Sequence, residues 1–149
     1  MHLDFLIEDV SGKIMLEILL PKVLPAGVSY TIYSYKGVGR IPGKMHSAKA
    51  IKGKQLLDNL PRLLNGFGRT YHNWGESYKG HVIVIFDLDD KSLDEFLAQL
   101  HQLLEWCQVA PETSFCMAIE EGEAWFLGDA NALLKAYPHA KRQVLKTYN

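Results

Sequence analysis

Apolar positions along the chain fall into short runs that switch between two periods. "LDFLI" (3–7) is a compact run ended by Glu8 and Asp9, and it reads as a first strand. Ser11 is placed to cap a helix through "KIMLEILL", which Pro21 and Pro25 should stop. "VSYTIYSY" (28–35) sets Val28, Tyr30 and Ile32 against Ser29, Thr31 and Tyr33. That period of two predicts a half-covered strand near a sheet edge. Residues 36–54 hold four glycines, one proline and many cations, the composition of a long loop. Leu56, Leu57, Leu60, Leu63 and Leu64 then mark one face of a helix, with Pro61 as a kink or an early-turn residue. "NGFGRTYHNWGESYKG" (65–80) reads as a second glycine-studded connection.

"HVIVIF" (81–86) is apolar at nearly every position, as expected of a central strand covered on both faces. Ser92 and Glu95 form a capping-box pattern, and Leu93, Phe96, Leu97, Leu100, Leu103 and Leu104 continue it as an amphipathic helix. "SFCMAI" (114–119) predicts a further buried strand. "EAWFLGD" and "ANALLKAY" read as two short helices, the second capped by Asp129 and ended by Pro138. Strand and helix therefore alternate four times. The pattern predicts an α/β domain over 1–149, with a four-stranded, mostly parallel sheet flanked by helices.

Composition changes this picture little: 149 residues, 48% hydrophobic, 22% charged, net charge −1. The distribution of charge says more. No Asp or Glu lies between Ile18 and Leu57, where Lys22, Lys36, Arg40, Lys44, Lys49, Lys52 and Lys54 all fall. Carboxylates gather instead at Glu8-Asp9, from Asp87 to Glu95, and at Glu120, Glu121 and Glu123. Cys107 and Cys116 lack metal-ligand spacing and read as small core residues. No apolar run approaches the roughly 18 residues of a membrane span, and a cytoplasmic protein is expected.

Each acidic cluster directly follows a predicted strand. Open α/β sheets place their sites at the carboxyl edge of the strands, so parallel strands would bring the three clusters to one edge. Like charges gathered there repel, and a hard divalent cation relieves the repulsion. Carboxylate oxygens without a nearby His or Cys set suit magnesium or manganese. Asp87 and Asp89 are two apart, which turns both to one side of an extended strand end. The bland alternative is that Asp89, Asp90 and Asp94 favour the positive end of the helix that begins near Ser92.

The residues that carry this pattern also carry a resemblance. "IEDVSGKIMLEILLPKVL", "IFDLDD" and "AIEEGEAWFLGD" resemble a bacterial family of small Toprim-like proteins, related to nucleases of the overcoming-lysogenization-defect type and often encoded beside an AAA-type ATPase. The resemblance spans Phe5 to about Pro138, and the family's proteins carry a further C-terminal element past residue 149. It implies a metal-dependent phosphodiesterase of phage defence. Glu8 would be a metal ligand or general acid–base, Asp87 and Asp89 the paired metal ligands with Asp90 beside them, and Glu123 an acidic residue serving a second ion.

Cleavage of a polyanion also needs cations. Lys36, Arg40, Lys44, Lys49, Lys52 and Lys54 could grip phosphates, with Arg69 on the second connection, or could simply solvate a loop. Tyr71, His72 and Trp74 there could stack on bases, but packing is favoured over stacking. His46 and His72 read as ordinary loop histidines, and Trp125 as core. No GxxxxGK[ST] pattern occurs, so nucleotide hydrolysis would fall to a partner ATPase. The expected function is a Toprim-type, magnesium- or manganese-dependent nuclease on DNA or RNA. The alternatives are a non-catalytic regulatory or scaffolding subunit and a receiver-like phospho-aspartate module.

Overall fold

The computed structural model describes residues 1–42, 54–75, 77–88, 92–118, 122–145 and 147, without the side chain of Glu123. Four strands, β1 (His2–Ile7), β2 (Ser29–Ser34), β3 (Gly80–Asp87) and β4 (Thr113–Ala118), form one sheet in the order β2-β1-β3-β4. All three pairings are parallel, with Ile7 opposite both Ser34 and Ile85, and Asp87 opposite Ala118. The expected α/β sheet is therefore present and wholly parallel. At this coarse level it is consistent with a Toprim-like arrangement. The half-covered strand β2 lies at an edge, as its period of two predicts.

Alternation along the strands sorts side chains between two layers. Leu6, Val82, Val84 and Phe86 face helices α2 (Leu56–Trp74) and α3 (Leu93–Glu105), which contribute Leu56, Leu57, Leu60, Leu64, Phe96, Leu100 and Leu103. Leu3, Phe5, Ile7 and Ile85 face the other way, onto Leu16 and Leu20 of α1 (Val10–Val23). Most of these side chains are fully buried, so the central strands β1 and β3 are covered on both faces. A seven-residue 3-10 helix (Gly122–Gly128) and helices α4 (Ala130–Ala136) and α5 (Arg142–Leu145) complete the described chain.

Several local expectations are corrected. The cap of α1 is Asp9, not Ser11: the Asp9 carboxylate accepts the Gly12 N–H at 2.7 Å, and the Ser11 hydroxyl donates to the same carboxylate. Helix α1 ends at Val23, between Pro21 and Pro25 as expected, with Pro21 exposed in its last turn. The stretch 65–80 is mainly helix: α2 continues through Gly66 and Gly68 to Trp74, held by burial that outweighs glycine's poor propensity. Ser92 precedes α3 as expected, but its side chain makes no capping bond. Asp129 does cap α4, accepting from the N–H groups of Asn131 and Ala132.

Candidate functional site at the carboxyl edge

Parallel pairing of β1 with β3 carries the ends of both strands to the same edge, and with them Glu8 and Asp87. The two meet there. The Glu8 carboxylate (Oε2) accepts the backbone N–H of Asp87 at 3.1 Å, and both residues are half-buried. Main-chain bonds from the following segment fix Glu8 from the other side: Tyr35 N–H donates to Ile7 O at 2.9 Å and Gly37 N–H to Glu8 O at 2.8 Å. Gly37 adopts φ +89°, a left-handed conformation that suits glycine and lets the chain turn away at that point.

A cleft of about 100 Å³ opens at this edge. Glu8, Asp9 and Asp87 supply its charge, Gly12 and Met15 of α1 one wall, and Trp125 and Phe126 of the 3-10 helix another. Gly12 permits the close packing of α1, since a Cβ there would come within 2.4 Å of the Ile7 side chain and 2.9 Å of the Asp9 carboxylate. Trp125 is 44% exposed and Phe126 50% exposed, so Trp125 is a rim residue and not the core residue its apolar surroundings predict. A signal was present in the sequence. Two large aromatics adjacent on one short helix point in different directions and cannot both enter the same core.

Of the predicted metal ligands, Glu8 and Asp87 are thus together, on adjoining strands. The backbone of Glu123 belongs to the 3-10 helix that brings Trp125 and Phe126 to the cleft. Its side chain, together with Asp89, Asp90, Glu120 and Glu121, lies outside the described residues. Among the described residues no group of three or more His, Cys, Asp or Glu side chains is gathered to hold a metal ion. Among the described residues lining the cleft the donors are the carboxylates of Glu8, Asp87 and the helix-capping Asp9, without imidazole or thiolate, the chemistry of a site for a hard cation.

The predicted cations divide. Lys36 is exposed and follows directly from the strand that ends beside Glu8, with its N–H bonded to Lys54 O at 2.9 Å. Arg40 is anchored by its backbone N–H to Asp58 at 2.9 Å and lines a second groove with Ser92, Glu95 and Gln99 of α3 and its approach. Lys44, Lys49 and Lys52 lie outside the described residues. Arg69 is remote from these: it sits in the second half of α2, where its guanidinium donates to Gln108 at 3.3 Å in the approach to β4. Tyr71 and Trp74 lie on the same stretch of helix and pack against one another, with ring centres 4.9 Å apart.

Compared with family models, curated proteins and solved structures, the chain matches none. Among the described residues no helix is long and apolar enough to cross a membrane.

Proposed function

We propose that this chain is a Toprim-type, magnesium- or manganese-dependent nuclease, acting on DNA or RNA in concert with a partner ATPase of the AAA type. One observation carries the proposal: the carboxylate of Glu8 lies on the Asp87 N–H, at the carboxyl edge of a parallel sheet, in a cleft rimmed by exposed aromatic rings. Glu8 and Asp87, with Asp89 and Glu123, would hold the ion. A bound divalent cation lowers the pKa of water and offsets charge on a leaving oxygen.

The chain's own groups would do the rest. Glu8, held by Asp87 N–H and by the turn at Gly37, is fixed in place to orient a water or to carry a proton. Trp125 and Phe126 offer faces on which unpaired bases stack. Lys36, Arg40 and Lys54, with the cations between them, would hold flanking phosphates.

A gel assay on DNA and RNA, with magnesium or manganese and with or without the ATPase, tests this. Wild type should cleave, and Asp87→Asn and Glu8→Gln should not, while both variants keep or strengthen binding because a carboxylate that repels phosphate is gone. Exchanging Lys44, Lys49 and Lys52 for Ala should flatten the dependence of log affinity on log salt. The slope falls by about 0.7 per lost contact on single strands and about 0.9 on duplex. Neither cleavage nor salt-sensitive binding in any combination would overturn the nuclease reading in favour of a scaffolding subunit.

A further inference from the structure

The two faces of the sheet are covered unequally. Among the described residues, α2 and α3 share one face, whereas the face bearing Leu3, Phe5 and Ile7 has α1 as its principal cover. Ile83 and Cys116 on that second face remain half-buried. Helix α1 is also apolar on more than its sheet-facing side. Leu16 and Leu20 point into the core, while Val10, Ile14 and Ile18 recur every fourth residue along the outward side and are 60%, 53% and 56% exposed. Leu19 and Val23, nearer the sheet-facing side and the end of the helix, are also exposed but do not extend this row. A helix apolar all round belongs to an interior, and a surface helix of this kind is one whose second neighbour comes from elsewhere.

We propose that α1 is the interface of a homodimer, in which two copies of the helix pack antiparallel about a two-fold axis. Charge selects both the partner and the direction. Lys13 and Glu17 lie one turn apart beside the apolar row and pair at 3.7 Å within the chain. An antiparallel crossing sets Lys13 of one copy near Glu17 of the other, whereas a parallel two-fold puts the flank that bears them on opposite sides of the pair and leaves these charges unmatched across it. This surface is thus complementary to itself, as a two-fold interface must be. Its extent also fits. Val10, Ile14 and Ile18, at this size and exposure, reach the lower end of the roughly 300–600 Å² of the largest patch on a typical monomer. The about 800 Å² per partner of a standard interface would be completed by polar rim residues such as Lys13 and Glu17. Because α1 starts at Asp9, beside Glu8, the pairing would set the two clefts at opposite ends of the helix pair, roughly 20 Å apart along its axis. The proposal stands independently of the nuclease chemistry.

Sedimentation velocity on the full chain, over a hundredfold range of concentration, reads the outcome directly. Wild type should sediment as a dimer. Ile14→Glu and Ile18→Glu should each weaken association at least roughly 30-fold, the effect expected of a central interface residue. Circular dichroism should show the wild-type fold for both, since neither side chain is buried in the single chain. A charge exchange provides an arm that adds nothing to the apolar row: Lys13→Glu should weaken the dimer, and Lys13→Glu combined with Glu17→Lys should restore it. A wild-type chain that stays monomeric throughout, whether or not it then binds a different protein or a vesicle, overturns the proposal. So does a dimer that persists unchanged in Ile14→Glu and Lys13→Glu.

Discussion

At the amino edge of the sheet, Asp4 is 3% exposed and surrounded by donors; at the carboxyl edge, Glu8 and Asp87 are half-buried and open to a cleft. The Tyr71 hydroxyl donates to Asp4 Oδ2 at 2.5 Å, and His2 Nε2 lies 3.3 Å from Asp4 Oδ1. His2 reaches on to the Ser29 hydroxyl at 2.8 Å, which meets Tyr78 at 2.7 Å. Gly80 makes room for this cluster, since a Cβ there would come within 2.4 Å of the Tyr71 ring. Tyr33, Phe67, Tyr71, Trp74 and Tyr78 then form a chain of ring contacts beside it. One end of the sheet thus answers a buried carboxylate with protein hydrogen bonds. The other collects carboxylates around open space. Side-chain chemistry alone does not make a site; what surrounds the charge decides whether it holds the fold together or is available to a ligand.

That contrast is broken most sharply at Asp4. Asp4→Ala strips an acceptor from the Tyr71 hydroxyl and from His2 in a buried setting, and should cost about 3 kcal/mol of stability. Urea unfolding measures it. Asp87→Asn, at the open edge, should change stability by less than about 1 kcal/mol without metal, because the backbone N–H that Glu8 accepts is untouched. Equal losses at the two positions would erase the distinction. Tyr71→Phe comes next. It keeps the ring and its packing but removes a hydrogen bond to a carboxylate, at a cost of about 2 kcal/mol. A double-mutant cycle with Asp4→Ala should give strong coupling, as direct partners do.

Alkali probes the same end. Burial, and then the hydrogen bond and charge of Asp4, push the Tyr71 hydroxyl well above its ordinary 10.0. Burial, then Asp4, raises Tyr33 as well. Tyr35 is pushed up to about 12, by burial against the opposing pull of Arg62. Raised phenol pKa values favour the neutral form in the fold. Their support is complete below about pH 10 and is lost as pH climbs through the folded values, to about 12 for Tyr35. Urea midpoints should therefore fall above about pH 10, and less steeply in Tyr71→Phe. An identical decline in that variant would assign the alkaline limb to other groups.

The strands and the parallel sheet were legible because strand and helix signals alternate along the chain and "HVIVIF" is apolar on both faces, as a covered central strand is. That Glu8 and Asp87 share one edge followed from parallel strands; that they touch depends on the pairing of β1 with β3, which the sequence did not show. What escaped depended on tertiary contact. Gly66 and Gly68 argue for a loop locally, yet Leu60, Leu64 and Tyr71 bind the whole of α2 to the sheet and the helix persists. Ser11 and Asp9 are equally good caps in isolation, and only the structure shows that Asp9 accepts the Gly12 N–H while Ser11 bonds to Asp9. Asp4 had a signal that alternation could have exposed: it shares a strand face with Leu6, which is buried. The outward row of α1 was visible as an apolar run, but only the sheet shows which of its residues are left over.

The smallest effect sharpens the comparison most selectively. If the carboxyl edge takes a cation, magnesium or manganese should stabilise the folded chain, since an ion that binds the native state and not the unfolded one shifts the equilibrium toward it. At ten times the dissociation constant the gain is about 1.4 kcal/mol, a rise of a few degrees in Tm for a chain of this length. Thermal melts with and without the ion should show the gain in wild type and in Tyr71→Phe alike, because the amino edge takes no part in binding. Asp87→Asn should lose it: an amide keeps the shape of the carboxylate but gives up the charge that draws a hard ion. Sodium at matched ionic strength controls for general screening. A gain that survives in Asp87→Asn, or that disappears in Tyr71→Phe, would place the ion elsewhere than the cleft beside Glu8.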